Sequence, residues 1–157
     1  MLRASLLVVA CAILLVGCGS KPKPVTKAQY EQHLQAIGTN LYTAANNLGE
    51  STATAVFNEN VQKLQDTINN SADDLDGLLP PGAEVQAANQ RLVQAYRDLA
   101  KEFEKVKDAR RESYPKALAA LVAVQHSEPA RRSIRTAAEL RKLGINVPVS
   151  ATVGPST

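Results

Sequence analysis

Apolar residues recur every three or four positions along most of this chain, and that spacing constrains its fold more than any other feature. Residues three and four apart share one face of an α-helix, so each run predicts an amphipathic helix with one apolar stripe. The first stripe consists of Tyr30, Leu34, Ile37, Leu41, Ala45 and Leu48. The second consists of Phe57, Val61, Leu64, Ile68, Ala72, Leu75 and Leu79. The third, over residues 83–110, consists of Val85, Ala88, Leu92, Ala95, Leu99, Phe103 and Val106.

Residues that begin or end helices lie between these stripes. Thr26 and Gln29 have the spacing of a capping box at the start of the first helix. Gly49 is a suitable stop for that helix, and Pro80-Pro81-Gly82 ends the second because proline cannot continue a helix. At the end of the last helix, we expect Gly144 in the left-handed conformation that closes many helices.

The region after residue 112 predicts two shorter helices. Ser113 is a suitable cap for the first, and Pro115 is tolerated there only in the first turn. Pro129 then breaks or restarts the helix, with Ser127 or Glu128 as the new cap. The residues predicted to face inward are Leu118, Leu121, Val122 and Val124, followed by Ile134, Ala137 and Leu140.

These patterns together predict an all-α fold, a bundle of four to five antiparallel helices over residues 26–145. About 120 residues are enough to bury a core of this kind. Because the first three stripes are narrow, a dimeric coiled coil is the alternative. Residues 146–157 predict a loose C-terminal tail, since a strand over 147–153 would have nothing evident to pair with.

The N-terminus has the pattern of a secretory signal. Arg3 makes the start positive, and an uninterrupted apolar run follows over residues 6–16. That run is too short to span a bilayer, which requires about 20 apolar residues. A positive start followed by a short apolar run indicates a signal peptide, which we place at residues 1–17.

The run ends in Leu15-Val16-Gly17-Cys18, which resembles the lipobox of bacterial lipoproteins. The resemblance implies that the Cys18 thiol receives a diacylglyceryl group and that cleavage before Cys18 makes it the mature N-terminus. The protein would then be anchored in a bacterial cell membrane on its extracytoplasmic side, with residues 18–25 as the lipidated cysteine and a flexible tether. Beyond this motif, the Ala-rich chain resembles small helical envelope lipoproteins of high-GC bacteria.

Charge is divided unevenly along the chain. Residues 26–104 contain five Lys or Arg and eleven Asp or Glu, whereas residues 105–157 contain ten and four. Arg131, Arg132 and Arg135 lie within one and a half helical turns and are our candidates for contact with an anionic membrane or polymer surface. The alternative is that they are solvated and balanced by the acidic helices. The predicted export and the lack of a recognition motif argue against nucleic acid as a partner.

No arrangement of residues predicts catalysis, a cofactor or a metal site. The signatures of hydrolases, zinc proteases and nucleotide-binding proteins are absent from the sequence. Asp73-Asp74-Leu75-Asp76-Gly77 resembles a calcium loop, but the required first and twelfth ligands are Ala72 and Ala83. His126-Ser127-Glu128 are adjacent on one turn and point in different directions, so they do not form a relay.

We therefore expect a membrane-anchored, non-enzymatic envelope lipoprotein that acts as an interaction or accessory module for an envelope protein. The alternative is a carrier of a small apolar or metal ligand between the helices. A carrier requires a pocket with apolar walls and a few polar groups. The many Ala residues in the stripes fit either such a pocket or close helix packing.

The lipobox interpretation predicts the outcome of one substitution. Cys18→Ala removes the thiol to which lipid is attached, so the variant should incorporate no fatty-acid analogue during metabolic labelling. Cys11→Ala is the matched control, because Cys11 lies within the apolar run that cleavage removes. Label retained by Cys18→Ala would contradict the lipobox interpretation.

Overall fold

The computed structural model describes residues 21–51 and 54–148. Within these residues the chain forms five α-helices and one pair of short strands, which confirms the predicted all-α bundle. The helices are α1 (Lys27–Gly49), α2 (Thr54–Asp76), α3 (Ala83–Glu112), α4 (Tyr114–Gln125) and α5 (Glu128–Lys142). The strands are β1 (Lys23–Pro24) and β2 (Leu78–Leu79). The predicted signal segment, Cys18 and residues 149–157 lie outside the described residues.

The helix α3 is the centre of the bundle. It packs against α2, α4 and α5, while α1 packs against α2. Arg132 pairs with Asp98 and Glu139 with Arg91, so α5 runs antiparallel to the first half of α3. The helix α4 folds back from the end of α3 and packs along its second half. Together α4 and α5 take the place of a single fourth helix that is broken at residues 126–127.

The predicted caps begin three of the helices. The Gln29 N–H donates to Thr26 Oγ1 at 3.2 Å, and the Thr26 N–H donates to Gln29 Oε1 at 2.9 Å, which completes the capping box. Ser113 caps α4 and Ser127 caps α5, each by accepting a hydrogen bond from a backbone N–H in the first turn. In both helices a proline follows in that turn, where no hydrogen bond from its nitrogen is needed.

The end of α5 also matches its prediction. Gly144 has a φ of 79°, the left-handed conformation that glycine adopts without strain. The Gly144 N–H donates to the Arg141 carbonyl and the Ile145 N–H to the Leu140 carbonyl, both at 3.0 Å. This pair of hydrogen bonds is the Schellman motif, and it turns the buried Ile145 back toward the core.

The apolar stripes of α1, α2 and α3 pack against one another within one chain. Of the predicted stripe residues, all are buried except Leu79, which is exposed, and Ala45 and Leu99, which are half-buried. The prediction for Leu79 is wrong because α2 ends at Asp76, so the helical spacing does not continue to residue 79.

Three predicted inward residues of the fourth segment are exposed instead. Leu118, Val122 and Ile134 have exposed fractions of 41%, 53% and 45%. Val124, Ala137 and Leu140 are buried as predicted and Leu121 is half-buried, so the faces turned to α3 match the predicted faces only in part. The buried residues are Ala117 and Val124 in α4, and Ser133, Thr136, Ala137 and Leu140 in α5. The small side chains on this face of α5 allow it to lie close to α3.

The predicted flexible tether is wrong from Lys23 onward. Its backbone joins the fold because β1 pairs in parallel with β2. The Lys23 N–H donates to the Gly77 carbonyl at 2.8 Å, and the Val25 N–H donates to the Leu79 carbonyl at 3.2 Å. A pairing of two residues is too short to produce a strand pattern in the sequence.

The predicted loose tail is wrong for residues 146–148. Val147 is buried, and its carbonyl accepts a hydrogen bond from Arg141 Nε at 3.1 Å. The Asn146 N–H donates to Glu31 Oε1 at 2.8 Å, which ties the chain after α5 to the first turns of α1. The local sequence does not predict the contact of Asn146 with Glu31 because the two residues lie far apart in the chain.

The core assignment makes Leu64 a sensitive position. Its side chain is 1% exposed, so Leu64→Asp buries an unpaired charge and removes apolar packing. We expect a loss of at least about 3 kcal/mol in the free energy of unfolding. Val122→Asp is the matched control because Val122 is 53% exposed, and we expect a change within about 0.5 kcal/mol. Chemical denaturation measures both, and an equal loss in the two variants would contradict the packing of α2.

Candidate ligand-binding cavity

A cavity of about 120 Å³ lies among all five helices, at the level where α4 ends and α5 begins. Its walls are apolar. The lining residues of α1 and of the fourth segment include Leu41, Ala45, Leu48, Leu121, Val124, Ala130 and Ile134. Those of α2 and α3 include Leu64, Ile68, Leu99 and Phe103. The two half-buried stripe residues, Ala45 and Leu99, are therefore the ones that face this space.

The break in the fourth helix accounts for the position of the cavity. Ser127 has an extended backbone, with φ −66° and ψ 158°, and Pro129 has no N–H with which to continue α4. The chain therefore restarts as α5 instead of continuing as one straight helix along α3. Helix α1 packs more closely against α2 than against α4 or α5, and the cavity occupies the space between them.

Three polar side chains interrupt the apolar wall: Tyr96, Gln125 and Ser133. Ser133 donates to the Ala130 carbonyl at 2.8 Å, which leaves its oxygen able to accept a hydrogen bond. Gln125 is half-buried. A largely apolar wall with a few fixed polar groups is the usual composition of a small-molecule site.

Tyr96 is the most distinctive of these residues, with an exposed fraction of 6%. The buried hydroxyl of Tyr30 donates to Asn89 Oδ1 at 2.9 Å, whereas that of Tyr96 has no partner among the described residues. Burial raises the pKa of Tyr96 to about 12, so the phenol is neutral near pH 7 and retains its proton as a donor. The hydroxyl is therefore available to donate a hydrogen bond to an acceptor on a bound molecule.

Within residues 21–51 and 54–148, no charged side chain lines the cavity. An ionised ligand would therefore lose its hydration without gaining a counter-charge, which is strongly unfavourable. A neutral molecule with an apolar body fits these walls. Ile134, although exposed, belongs to the lining and forms part of the mouth. Ile134, which the sequence pattern predicts in the core, therefore lies at the rim of the cavity.

A second, smaller cavity of about 30 Å³ adjoins the first. Both are lined by Tyr96, Ser133 and Ile134, so these side chains separate the two spaces. Val147 and Pro148 also line the smaller cavity, which places the end of the described chain beside it.

The arginines predicted to meet an anionic surface lie on α5, and each has an acidic partner. Arg131 and Arg135 both pair with Glu128, and Arg132 pairs with Asp98 of α3 at 3.3 Å. The hydrogen bond from Arg135, together with the charges of Arg135 and Arg131, lowers the pKa of Glu128. The three side chains lie on one short helix, and their contact with an anionic surface stays a prediction.

The acidic run at the end of α2 forms ion pairs within the bundle. Arg97 pairs with Asp73 at 3.2 Å and with Asp76 at 3.0 Å, while Asp74 lies 3.0 Å from His33 Nδ1. Among the described residues, no group of three or more His, Cys, Asp or Glu side chains is placed to hold a metal ion.

None of the described helices has an apolar stretch long enough to cross a membrane. Comparisons with protein-family models, with curated proteins and with solved structures gave no match to this chain.

Tyr96 is absent from the predicted inward residues of the third helix, although a signal for it exists. It lies four residues after Leu92 and seven before Phe103, both of which are buried. That spacing puts Tyr96 on the same helical face. The cavity itself has no sequence signal, because it results from the relative positions of five helices.

Proposed function

We propose that this protein is a lipid-anchored envelope lipoprotein whose helical bundle binds a small, neutral, apolar ligand. The observation that carries the proposal is the apolar cavity, whose described lining carries no charged side chain and includes Tyr96, a buried residue whose hydroxyl has no partner among the described residues. The ligand consists of an apolar body that replaces water in the cavity and one uncharged acceptor, such as a carbonyl or ether oxygen, for the Tyr96 proton. This function needs no catalytic group.

The size of the cavity limits the part of the ligand that is enclosed. Apolar cavities of about 150 Å³ accept a molecule as small as benzene. A space of about 120 Å³ is somewhat smaller and therefore encloses at most a single small ring or a short segment of an acyl chain. A longer ligand would extend through the mouth beside Ile134, where its remaining apolar surface meets the exposed side chain.

The position of the fold relative to the proposed anchor supports a carrier near the membrane. Four residues separate Cys18 from Lys23. An extended chain advances at most about 3.6 Å per residue, so β1 lies within about 18 Å of the lipidated cysteine. Helix α1 rises about 1.5 Å per residue, which puts the cavity about 20 to 30 Å beyond the first residue of α1. A ligand held there is outside the bilayer yet close to it.

The second candidate function is that of an accessory module for an envelope protein. One observation favours it: Leu118 and Val122 lie four residues apart on α4 and are both exposed. Residues with that spacing form one apolar stripe, a surface suited to a partner protein. Neither residue lines the cavity, so the two functions can be tested separately.

Binding of the neutral fluorescent ketone 6-propionyl-2-(dimethylamino)naphthalene tests the carrier proposal, because its carbonyl is an acceptor for Tyr96 and the part that exceeds the cavity extends through the mouth. Residues 19–157, exported without a lipid anchor, should show saturable fluorescence enhancement that a long-chain alcohol displaces. Ala45→Phe adds a ring at the half-buried wall of the cavity and should weaken binding by at least about tenfold, which is about 1.4 kcal/mol.

The matched control is Ala123→Phe, which adds the same ring at an exposed position of α4 outside the cavity. Its affinity should equal that of the unaltered protein, and circular dichroism should show both variants folded. Absence of saturable binding, or equal affinity in the Ala45→Phe variant, would refute the carrier. Loss of binding in Leu118→Ser with no effect of Ala45→Phe would instead assign the probe to the outer face of α4.

A further inference from the structure

A second cleft, remote from the apolar cavity, lies between α2 and the end of α3 and has a volume of about 480 Å³. Its polar lining consists of Asn58, Gln62, Lys107, Arg110 and Arg111. No acidic side chain of the described part of the chain lines it. Three cations and two amides therefore face one space, which is an environment for an anion.

Arg110 differs from every other arginine in the described part of the chain. Each of the others has an ion pair or a hydrogen bond to a carboxylate or a carbonyl. Arg110 has neither among the described residues, and its Nε is buried without a partner. A buried N–H without an acceptor is costly, so a bound group that accepts from Arg110 Nε would remove that cost.

Aromatic packing holds the Arg110 guanidinium in place. Its central carbon lies 6.0 Å from the centroid of the Tyr114 ring, within the range of a cation–π contact. The Tyr114 ring in turn meets Phe57 edge to face, with centroids 5.1 Å apart and an angle of 79° between the planes. The Tyr114 hydroxyl also donates to the Ser51 carbonyl at 3.4 Å. The guanidinium is thus positioned without a carboxylate.

The two neighbouring cations have only exposed, local partners. Lys107 lies 3.2 Å from Glu104, and Arg111 lies 3.3 Å from Asp108, each three residues away on the same helix. Exposed pairs of this kind contribute little, about 1 kcal/mol or less. Both side chains can therefore turn toward an anion in the cleft at small cost.

We infer that this cleft binds a phosphate group, with Arg110 as the central ligand and Lys107, Arg111, Asn58 and Gln62 as supporting donors. The N–H donors of these five side chains outnumber the acceptor sites of a single carboxylate. Three positive charges also match the charge of a phosphate near pH 7 better than they match the single charge of a monoanion. Phosphate binding at this cleft is independent of the apolar cavity and of the lipid anchor, whereas the source of the phosphate rests on the proposed anchor.

The position of the cleft distinguishes a free phosphate from the headgroup of a neighbouring lipid. The chain enters the bundle at β1, beside the start of α3, whereas Arg110 lies near the end of that 30-residue helix. A helix of that length extends about 45 Å. The phosphate is therefore that of a soluble molecule rather than of a phospholipid in the anchoring membrane.

Titration of the full mature protein with inorganic phosphate, in a neutral detergent at constant ionic strength, tests the inference. Calorimetry should show saturable binding, and acetate at the same concentration should bind at least about tenfold more weakly, a difference of about 1.4 kcal/mol. Arg110→Gln should weaken phosphate binding by at least that factor. Arg131→Gln is the matched control, since it removes the same charge from a residue paired with Glu128, and it should leave the affinity unchanged.

The double variant Asn58→Ala with Gln62→Ala tests the site separately, in case Arg110→Gln does not fold. Both of its positions are exposed, so the fold should not change. The double variant should also weaken phosphate binding while the thermal midpoint stays the same. No saturable binding, or equal weakening by Arg110→Gln and Arg131→Gln, would overturn the inference. Stronger binding to anionic vesicles than to free phosphate would overturn the assignment to a soluble molecule.

Discussion

The structure depends on one mismatch: an uninterrupted α3 faces a fourth segment that cannot form one helix. Pro115 and Pro129 lack the N–H that a helix interior requires, so each must lie in a first turn. Ser113 and Ser127 provide the caps that those first turns need. The fourth segment is therefore two short helices along the 30 residues of α3.

This mismatch accounts for where the molecule is packed and where it is hollow. The stripes of α1, α2 and α3 meet in a continuous core, since each is a long helix with regular apolar spacing. At the junction of α4 and α5 that regularity stops, and the space toward α1 is filled only in part. Leu99 and Ala45 are half-buried there, and Tyr96 presents a hydroxyl without a described partner. The proposed ligand completes the core at this position.

Much of the fold was predictable from the sequence because its determinants are local. Apolar spacing predicts the helices, and Thr26, Ser113, Ser127 and Gly144 mark ends that the structure confirms. Several of the failures share one cause, which is dependence on distant contacts. The pairing of β1 with β2 and the contact of Asn146 with Glu31 join segments far apart in the chain. Ile134 is exposed because α5 turns another face toward α3. The sequence of α5 alone does not determine which face of the helix packs against α3.

The candidate sites were less predictable than the fold, for a related reason. Lys107, Arg110 and Arg111 are visible in the sequence only as part of a basic region, because the partners that distinguish them lie in space. Cys18 is the opposite case, since its proposed role rests on a contiguous motif.

The central claim is that the break between α4 and α5 opens an apolar cavity able to hold a ligand. Crystals of residues 19–157 pressurised with xenon test it most directly, because xenon enters apolar cavities without needing a hydrogen bond. The account predicts a xenon site in contact with Leu48, Phe103 and Leu121, beside a chain that is broken at residues 126–127. A continuous fourth helix, or crystals with no xenon between α1 and α4, would contradict it.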